Sequence, residues 1–415
     1  ESWIERDAAV VWHGFTQMSG YADNAPIVVE RGEGRELIDV DGRRYLDAIS
    51  SLWVTTLGHG VPELDGALRD QLDRVAHSTM LGHGNRVVVE LAEALAVVVP
   101  VDDPHVLFAG DGASAVEQAL KIAFQYWVNV GEPARHRFLA FGGAYHGDTV
   151  GALSLGDGGL GADVFAPLRF PVLRAPGFDE DPDFKVAVDM VAEHAGELAA
   201  VVVEPLVQGA AGMRMAPAAS FARLGLACAD AGVLLVLDEV ATGFGRTGTL
   251  FAAEQCGVRP DLLCLGKGLT AGYLAMAATV ASGRVFDAFG GRGNHLAHGH
   301  SYGGNALAAA VALRHLRLLD ERDVLSNVRA RSEQLWDLLG RRVAPLAGVG
   351  EVRLTGLMAG VDVAPGRGRA VCAAATAAGV LLRPLGDTVV IMPPLTITAG
   401  EIERIVDILA MAIGD

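Results

Sequence analysis

The chain is 415 residues long with a formal net charge of −17, and this acidic balance argues against nucleic acid or an anionic membrane as a partner, because both need a basic surface. Hydrophobic residues at 51% and charged residues at 20% describe an ordinary folded protein, and the length exceeds the roughly 250–300 residues that one core serves, so two packed domains are expected. Four cysteines in apolar contexts without metal-ligand spacing, an N-terminus lacking the basic-then-apolar order of a signal peptide, and no run of about 18 apolar residues point to a cytoplasmic protein with free thiols.

Near the start, Ile27-Val28-Val29-Glu30 and Glu36-Leu37-Ile38-Asp39-Val40-Asp41-Gly42 alternate around a turn, the pattern of a small hairpin. Short apolar runs at 105–108, 138–141, 200–203, 233–237 and 261–265 predict strands covered on both faces, with helical periods at 113–128, 184–197 and 218–231 between them. That alternation predicts an α/β fold, a mostly parallel sheet flanked by helices. Beyond about residue 305 come helices at 305–319 and 323–342, strands around 350–361 and 386–392, and a closing helix at 399–413, which read as a smaller α+β domain. The expected division is 1–55 joining the small domain, 56–304 forming the large one and 305–415 completing the small one.

Asp238 closes the apolar strand at 233–237, and ligands in open α/β sheets bind beyond the carboxyl ends of strands. Lys267 follows the next strand in Leu265-Gly266-Lys267-Gly268, a glycine-flanked turn from which an amine reaches into a cleft. A lysine there, partly neutralised by burial, suits a Schiff base with the aldehyde of pyridoxal 5'-phosphate. An aspartate on the neighbouring strand end would keep the pyridine nitrogen protonated, so that the ring can take up electrons. Gly110-Asp111-Gly112-Ala113-Ser114 opens a helix whose N–H groups would hold a phosphate despite the acidic chain.

Tyr145, in Gly142-Gly143-Ala144-Tyr145-His146-Gly147, either lies over a planar ligand or fills the core. In His298-Gly299-His300-Ser301-Tyr302 no third ligand stands at a suitable spacing, so no metal site is expected, and phosphate contact through Ser301 and backbone donors fits better. Arg383 stands between apolar runs, where it needs either a substrate carboxylate or a structural ion pair.

Together these residues resemble the class III aminotransferases of the fold-type-I pyridoxal-phosphate superfamily over nearly the whole chain. The likeness is carried by Val207-Gln208-Gly209-Ala210-Ala211-Gly212-Met213, by Asp238-Glu239-Val240-Ala241-Thr242-Gly243-Phe244-Gly245-Arg246-Thr247-Gly248 and by Lys121-Ile122-Ala123-Phe124-Gln125-Tyr126-Trp127. Ala241, where ornithine- and 4-aminobutyrate-type members carry glutamine, makes it most similar to the branch that aminates 8-amino-7-oxononanoate, as do Trp12-His13-Gly14-Phe15 and Met392-Pro393-Pro394. The resemblance implies Lys267 as Schiff-base lysine and proton shuttle, Asp238 on the pyridinium, Gly112 and Ala113 on the phosphate, and Tyr145 beside ring and substrate. It implies Phe15, Trp53 and Gly299 at the substrate, Arg383 on a carboxylate, and a homodimer in which His300 and Ser301 reach the phosphate of the cofactor across the interface. The implied reaction is a ping-pong transamination with S-adenosylmethionine or lysine as donor, and an ω-amino-acid:pyruvate aminotransferase would share every cofactor residue.

Overall fold

Uninterrupted Val, Leu, Ala and Cys over four to six positions cannot leave either strand face in water, and these runs build the central sheet of the larger of two units. The computed structural model describes residues 2–414 apart from 22, 23, 25 and 158–160. The chain divides into Pro62–Val328 and a second unit made of Glu1–Val61 with Arg329–Asp415.

The sheet of the larger unit has seven strands: β1 (His105–Ala109), β2 (Arg137–Phe141), β3 (Leu173–Ala175), β4 (Leu198–Val203), β5 (Leu234–Asp238), β6 (Leu262–Leu265) and β7 (Ala277–Ala281). Their order across the sheet is β1-β7-β6-β5-β4-β2-β3. β7 is antiparallel to both of its neighbours, and the other strands run one way. Register then sets the site: Leu237 pairs with Val203 and Asp238 with Cys264, so Glu204 and Asp238 leave adjacent strands at one level.

Helix α1 (Gly112–Asn129) buries Ala115, Val116, Ala119, Ile122, Ala123 and Tyr126 at the three- and four-residue spacing of one helical face. Asp111 caps its start, accepting from Ser114 N at 2.9 Å, and near its end Trp127 Nε1 donates to the carbonyl of Ala199 at 2.8 Å. Its underside meets β7 through a buried polar joint, where the Thr279 hydroxyl donates to Ala115 O at 2.7 Å and lies 2.9 Å from Gln118 Oε1. Helix α2 (Ala218–Ala231) ends on Gly232 in the left-handed region, as the sequence pattern of that segment requires.

Helix α3 (Ala306–Glu321) belongs to the larger unit, and the division falls at 61/62 and 328/329 instead of near 55 and 305. The cause is its Ala- and Leu-rich buried face, which packs on helices Pro62–Leu72 and Arg86–Val98 of that unit. β7 is a further difference, since Ala277-Ala278-Thr279-Val280-Ala281 lacks the branched run that marks the other strands.

In the other unit the N-terminal hairpin gains a third strand, Arg44–Asp47, and Val380–Leu381 adds to it in parallel. A second sheet orders Val349–Thr355, Met358–Val363, Thr388–Ile391 and Arg383–Leu385 antiparallel, so the segment around 350–361 is itself a hairpin. All four cysteines are buried free thiols, and among the described residues no helix is long and apolar enough to cross a membrane.

Candidate active site

Four strand ends of the larger unit converge. Asp238, at the end of β5, is buried, and its Oδ1 accepts from Val240 N at 3.0 Å. Its Oδ2 lies 2.7 Å from His146 Nδ1, in the loop after β2. Burial disfavours a charged imidazole, yet the hydrogen bond and charge of Asp238, with Glu204 adding, hold His146 above its ordinary pKa. Both ring and carboxylate are thereby fixed in orientation.

Glu204, one residue past β4, accepts from Tyr145 N at 3.1 Å and from Gly209 N at 3.2 Å, so a single carboxylate ties two loops together. Burial pushes its pKa up to about 7; the positive character of His146 opposes this and the charge of Asp238 adds to it. Lys267 follows β6 in the 3-10 turn Lys267–Thr270. Burial lowers its ammonium pKa, while Asp238 and Glu204 pull it back up. Its φ of +40° is a left-handed conformation that a side chain adopts at a cost of about 1–2 kcal/mol, so the surrounding turn must impose it. The Tyr145 hydroxyl donates to Asp148 at 2.8 Å, and burial with that carboxylate raises its pKa.

Beside this cluster lies the start of α1. A Cβ on Gly112 would stand 2.6 Å from Val240 Cγ1, and one on Gly147, whose φ is +122°, would stand 2.4 Å from Ala113 Cβ. Only glycine lets the loop after Asp238, the loop after β2 and the first turn of α1 approach this closely. The Glu117 carboxylate fastens the arrangement, accepting from Thr149 Oγ1 at 2.6 Å and Gly151 N at 2.8 Å. The N–H groups opening an 18-residue helix therefore lie next to Asp238 and Lys267, where an anion is stabilised.

His300 lies at Gly110 of the same chain, where a Cβ would stand 3.4 Å from its Cε1. Its Nε2 is buried and finds no partner among the described residues. The loop around it is held by Lys121 Nζ donating to Ala297 O at 2.8 Å and by His77 Nε2, 2.6 Å from Ser301 O. Gly299 leaves room for Leu81, whose Cδ2 would stand 2.6 Å from a Cβ there.

Of the residues singled out in the sequence, Asp238, Lys267, Tyr145, Gly112 and Ala113 come together at the strand ends, with His300 at the adjoining turn and Gly299 and Ser301 in its loop. Phe15, Trp53 and Arg383 lie in the other unit. There Phe15 is exposed and Trp53 buried, both with left-handed φ, and Arg383 is half-buried in a strand facing Val390. Among the described residues no ion pair takes up the Arg383 guanidinium. The sequence reading missed the partnership of His146 with Asp238 and gave Glu204 no role. Glu204 was legible in principle, because it ends an apolar run as Asp238 does.

Compared with known proteins, residues 18–413 match the family described as aminotransferase class-III. The chain belongs to the class III aminotransferases. Among the relatives of this aminotransferase is the adenosylmethionine-8-amino-7-oxononanoate aminotransferase of Nitratidesulfovibrio vulgaris, 44% identical over 98% of this chain and 80% of the relative. The crystal structure of the enzyme of that name from Methanocaldococcus jannaschii is similar with a TM-score of 0.95 at 37% identity, covering 99% of this chain and 98% of the other. An amine transaminase from an uncultivated Pseudomonas species, solved in its PLP-bound form, is similar with a TM-score of 0.90 at 34% identity over 97% of this chain and 98% of the other.

Proposed function

We propose that this aminotransferase uses pyridoxal 5'-phosphate to aminate 8-amino-7-oxononanoate to 7,8-diaminononanoate in biotin biosynthesis, with S-adenosylmethionine as the donor. The acceptor and the donor rest on the relatives' names. The chemistry rests on one observation, the pairing of Asp238 with a buried histidine beside a lysine of lowered pKa.

The residues fit the cofactor. Glycine-lined N–H groups at Gly112 and Ala113 suit its phosphate, a buried carboxylate suits its ring nitrogen, and a depressed amine suits its aldehyde. When bound, the cofactor supplies an electron sink and carries the amino group from donor to acceptor. Asp238, aimed by His146 and Val240 N, holds a proton on the ring nitrogen. Lys267 would carry a proton at Nζ between the substrate carbon and the cofactor carbon bonded to the same nitrogen, one way with the donor and the reverse way with the acceptor; burial favours the neutral amine this needs. Tyr145, tethered through Glu204 and Asp148, bounds the pocket and keeps water from it. Arg383, Trp53 and Phe15 serve the substrate, with Arg383 on a carboxylate through two parallel N–H bonds. The enzyme works as a cytoplasmic homodimer.

The test is an assay of purified protein with 8-amino-7-oxononanoate or pyruvate as acceptor and S-adenosylmethionine or lysine as donor. Diamine formation from the first acceptor is expected, along with a visible absorbance band that Lys267→Ala abolishes together with turnover. Amination of pyruvate alone would replace this reading with an ω-amino-acid:pyruvate aminotransferase, and turnover retained in Lys267→Ala would remove the role of that lysine. Turnover with lysine alone would reassign the donor.

A further inference from the structure

Helix α3 carries ten buried residues, and nine of them are Ala, Val or Leu; the tenth is His315, with no exposed surface. A buried imidazole in such a face costs free energy unless its nitrogens are bonded, and leucine would fill the same space without that demand. His315 Nδ1 lies 3.2 Å from the carbonyl of Leu269. A carbonyl oxygen only accepts, so Nδ1 carries the hydrogen and the tautomer is fixed. Leu269 belongs to the 3-10 turn that begins with Lys267.

That turn has left-handed residues at both ends, Lys267 at φ +40° and Ala271 at φ +54°, and its backbone is closed by short bonds such as Leu269 N to Gly266 O and Ala271 N to Gly268 O. Its shape must be imposed from outside. The same imidazole ring also stands 6.1 Å, centroid to centroid, from Phe244, which is buried with φ +58° in the loop following Asp238. One side chain on a rigid helix thus touches both loops that carry the reacting pair.

We propose that His315 is a positioning residue for the amination reaction: its Nδ1–H fixes the Leu269 carbonyl, its ring supports Phe244, and together these set Lys267 against Asp238. The proposal rests on the reading of Lys267 as the proton-carrying amine. Burial drives the His315 pKa down to about 4, so the ring stays neutral wherever the enzyme works and the hydrogen bond does not switch with pH.

The holoenzyme variants H315L and H315N separate this from a packing role, because asparagine restores an N–H at the place of Nδ1 and leucine does not. H315L is expected to lower kcat roughly ten-fold or more, as a displaced amine does, with KM for the acceptor within about two-fold. The pH midpoint of the visible absorbance band should shift in H315L, and H315N should return both kcat and midpoint close to wild type. Should H315L not fold, H315M carries the same comparison. A wild-type midpoint in the apolar variant, or an equal loss in H315N, would overturn the proposal. Wild-type protein without band or turnover would refute the reading of Lys267. The positioning claim is then decided in cofactor-free protein by the pH at which Lys267 becomes reactive to acetic anhydride, and a midpoint identical in wild type and H315L overturns it.

Discussion

Asp238 and Glu239 are neighbours in the chain and meet opposite environments. Asp238 faces a histidine, whereas both oxygens of Glu239 accept from the backbone, Ala252 N at 2.7 Å and Ala253 N at 2.8 Å, with the Thr242 hydroxyl at 3.2 Å. Burial pushes the Glu239 pKa up to about 7, against the hydrogen bonds that lower it. The folded state therefore holds this proton more tightly than the unfolded chain, whose carboxyl titrates near 4.5. The stability so gained is fully present below that unfolded value and is lost as pH rises through about 7, a swing of about 3 kcal/mol. Glu204 titrates in the same window and direction. Glu239→Gln keeps one acceptor and removes the titration, so the Tm gained on going from about pH 8 to about pH 5 should be smaller than in wild type. An unchanged difference, measured by calorimetry on the cofactor-free protein, would place the Glu239 proton elsewhere.

At the scale of elements, the site depends on how closely three backbones approach. Gly147 is the tightest point, because a Cβ there would meet both Ala113 Cβ at 2.4 Å and Ala113 Cα at 2.9 Å, with φ at +122°. Backbone cannot yield as a flexible side chain does, so Gly147→Ala should push the 142–149 loop off the first turn of α1. The expected cost is about 1–3 kcal/mol in stability together with faster loss of cofactor on dilution. Gly66, inside helix Pro62–Leu72 with nothing within 4 Å of a Cβ, is the control: Gly66→Ala should be neutral or stabilise by up to about 1 kcal/mol. Equal loss of cofactor in both variants, followed by absorbance, would sink the close-approach argument. The same scale shows what a sequence discloses. Strands β4, β5 and β6 were legible because burial on both faces writes itself as an unbroken apolar run, and Asp238 and Lys267 because they interrupt such runs at their ends. β7 was not, since alanine serves helix and strand alike, and the place of α3 was not either, since two of the helices it packs on precede it by more than two hundred residues. The bond from His146 to Asp238 spans 92 positions and the one from His315 to Leu269 spans 46, and no local pattern records which residues meet at that range.

Over the whole molecule, a net charge of −17 repels a phosphorylated cofactor and carboxylate substrates at long range, so capture must come from local donors such as the start of α1. Like His146, His300 has a buried Nε2 without a partner among the described residues, and in the single chain it lies at its own Gly110. The proposed homodimer instead sends His300 and Ser301 to the cofactor of the other subunit, and the two arrangements differ in which chain completes a site. Mixing decides between them. One chain carries Lys267→Ala and is inactive; the other carries His300→Ala with Ser301→Ala and is weakened at the phosphate. If sites are shared, a hybrid dimer has one site with both defects and one with neither, so dissociation and reassociation of equal amounts should recover about a quarter of wild-type activity. If each chain completes its own site, every site in the hybrid keeps one defect, and mixing yields no more than the average of the two parents. Recovery that rises as subunits exchange, followed by size-exclusion chromatography of differently tagged chains, would show that the 300–301 loop acts across the interface.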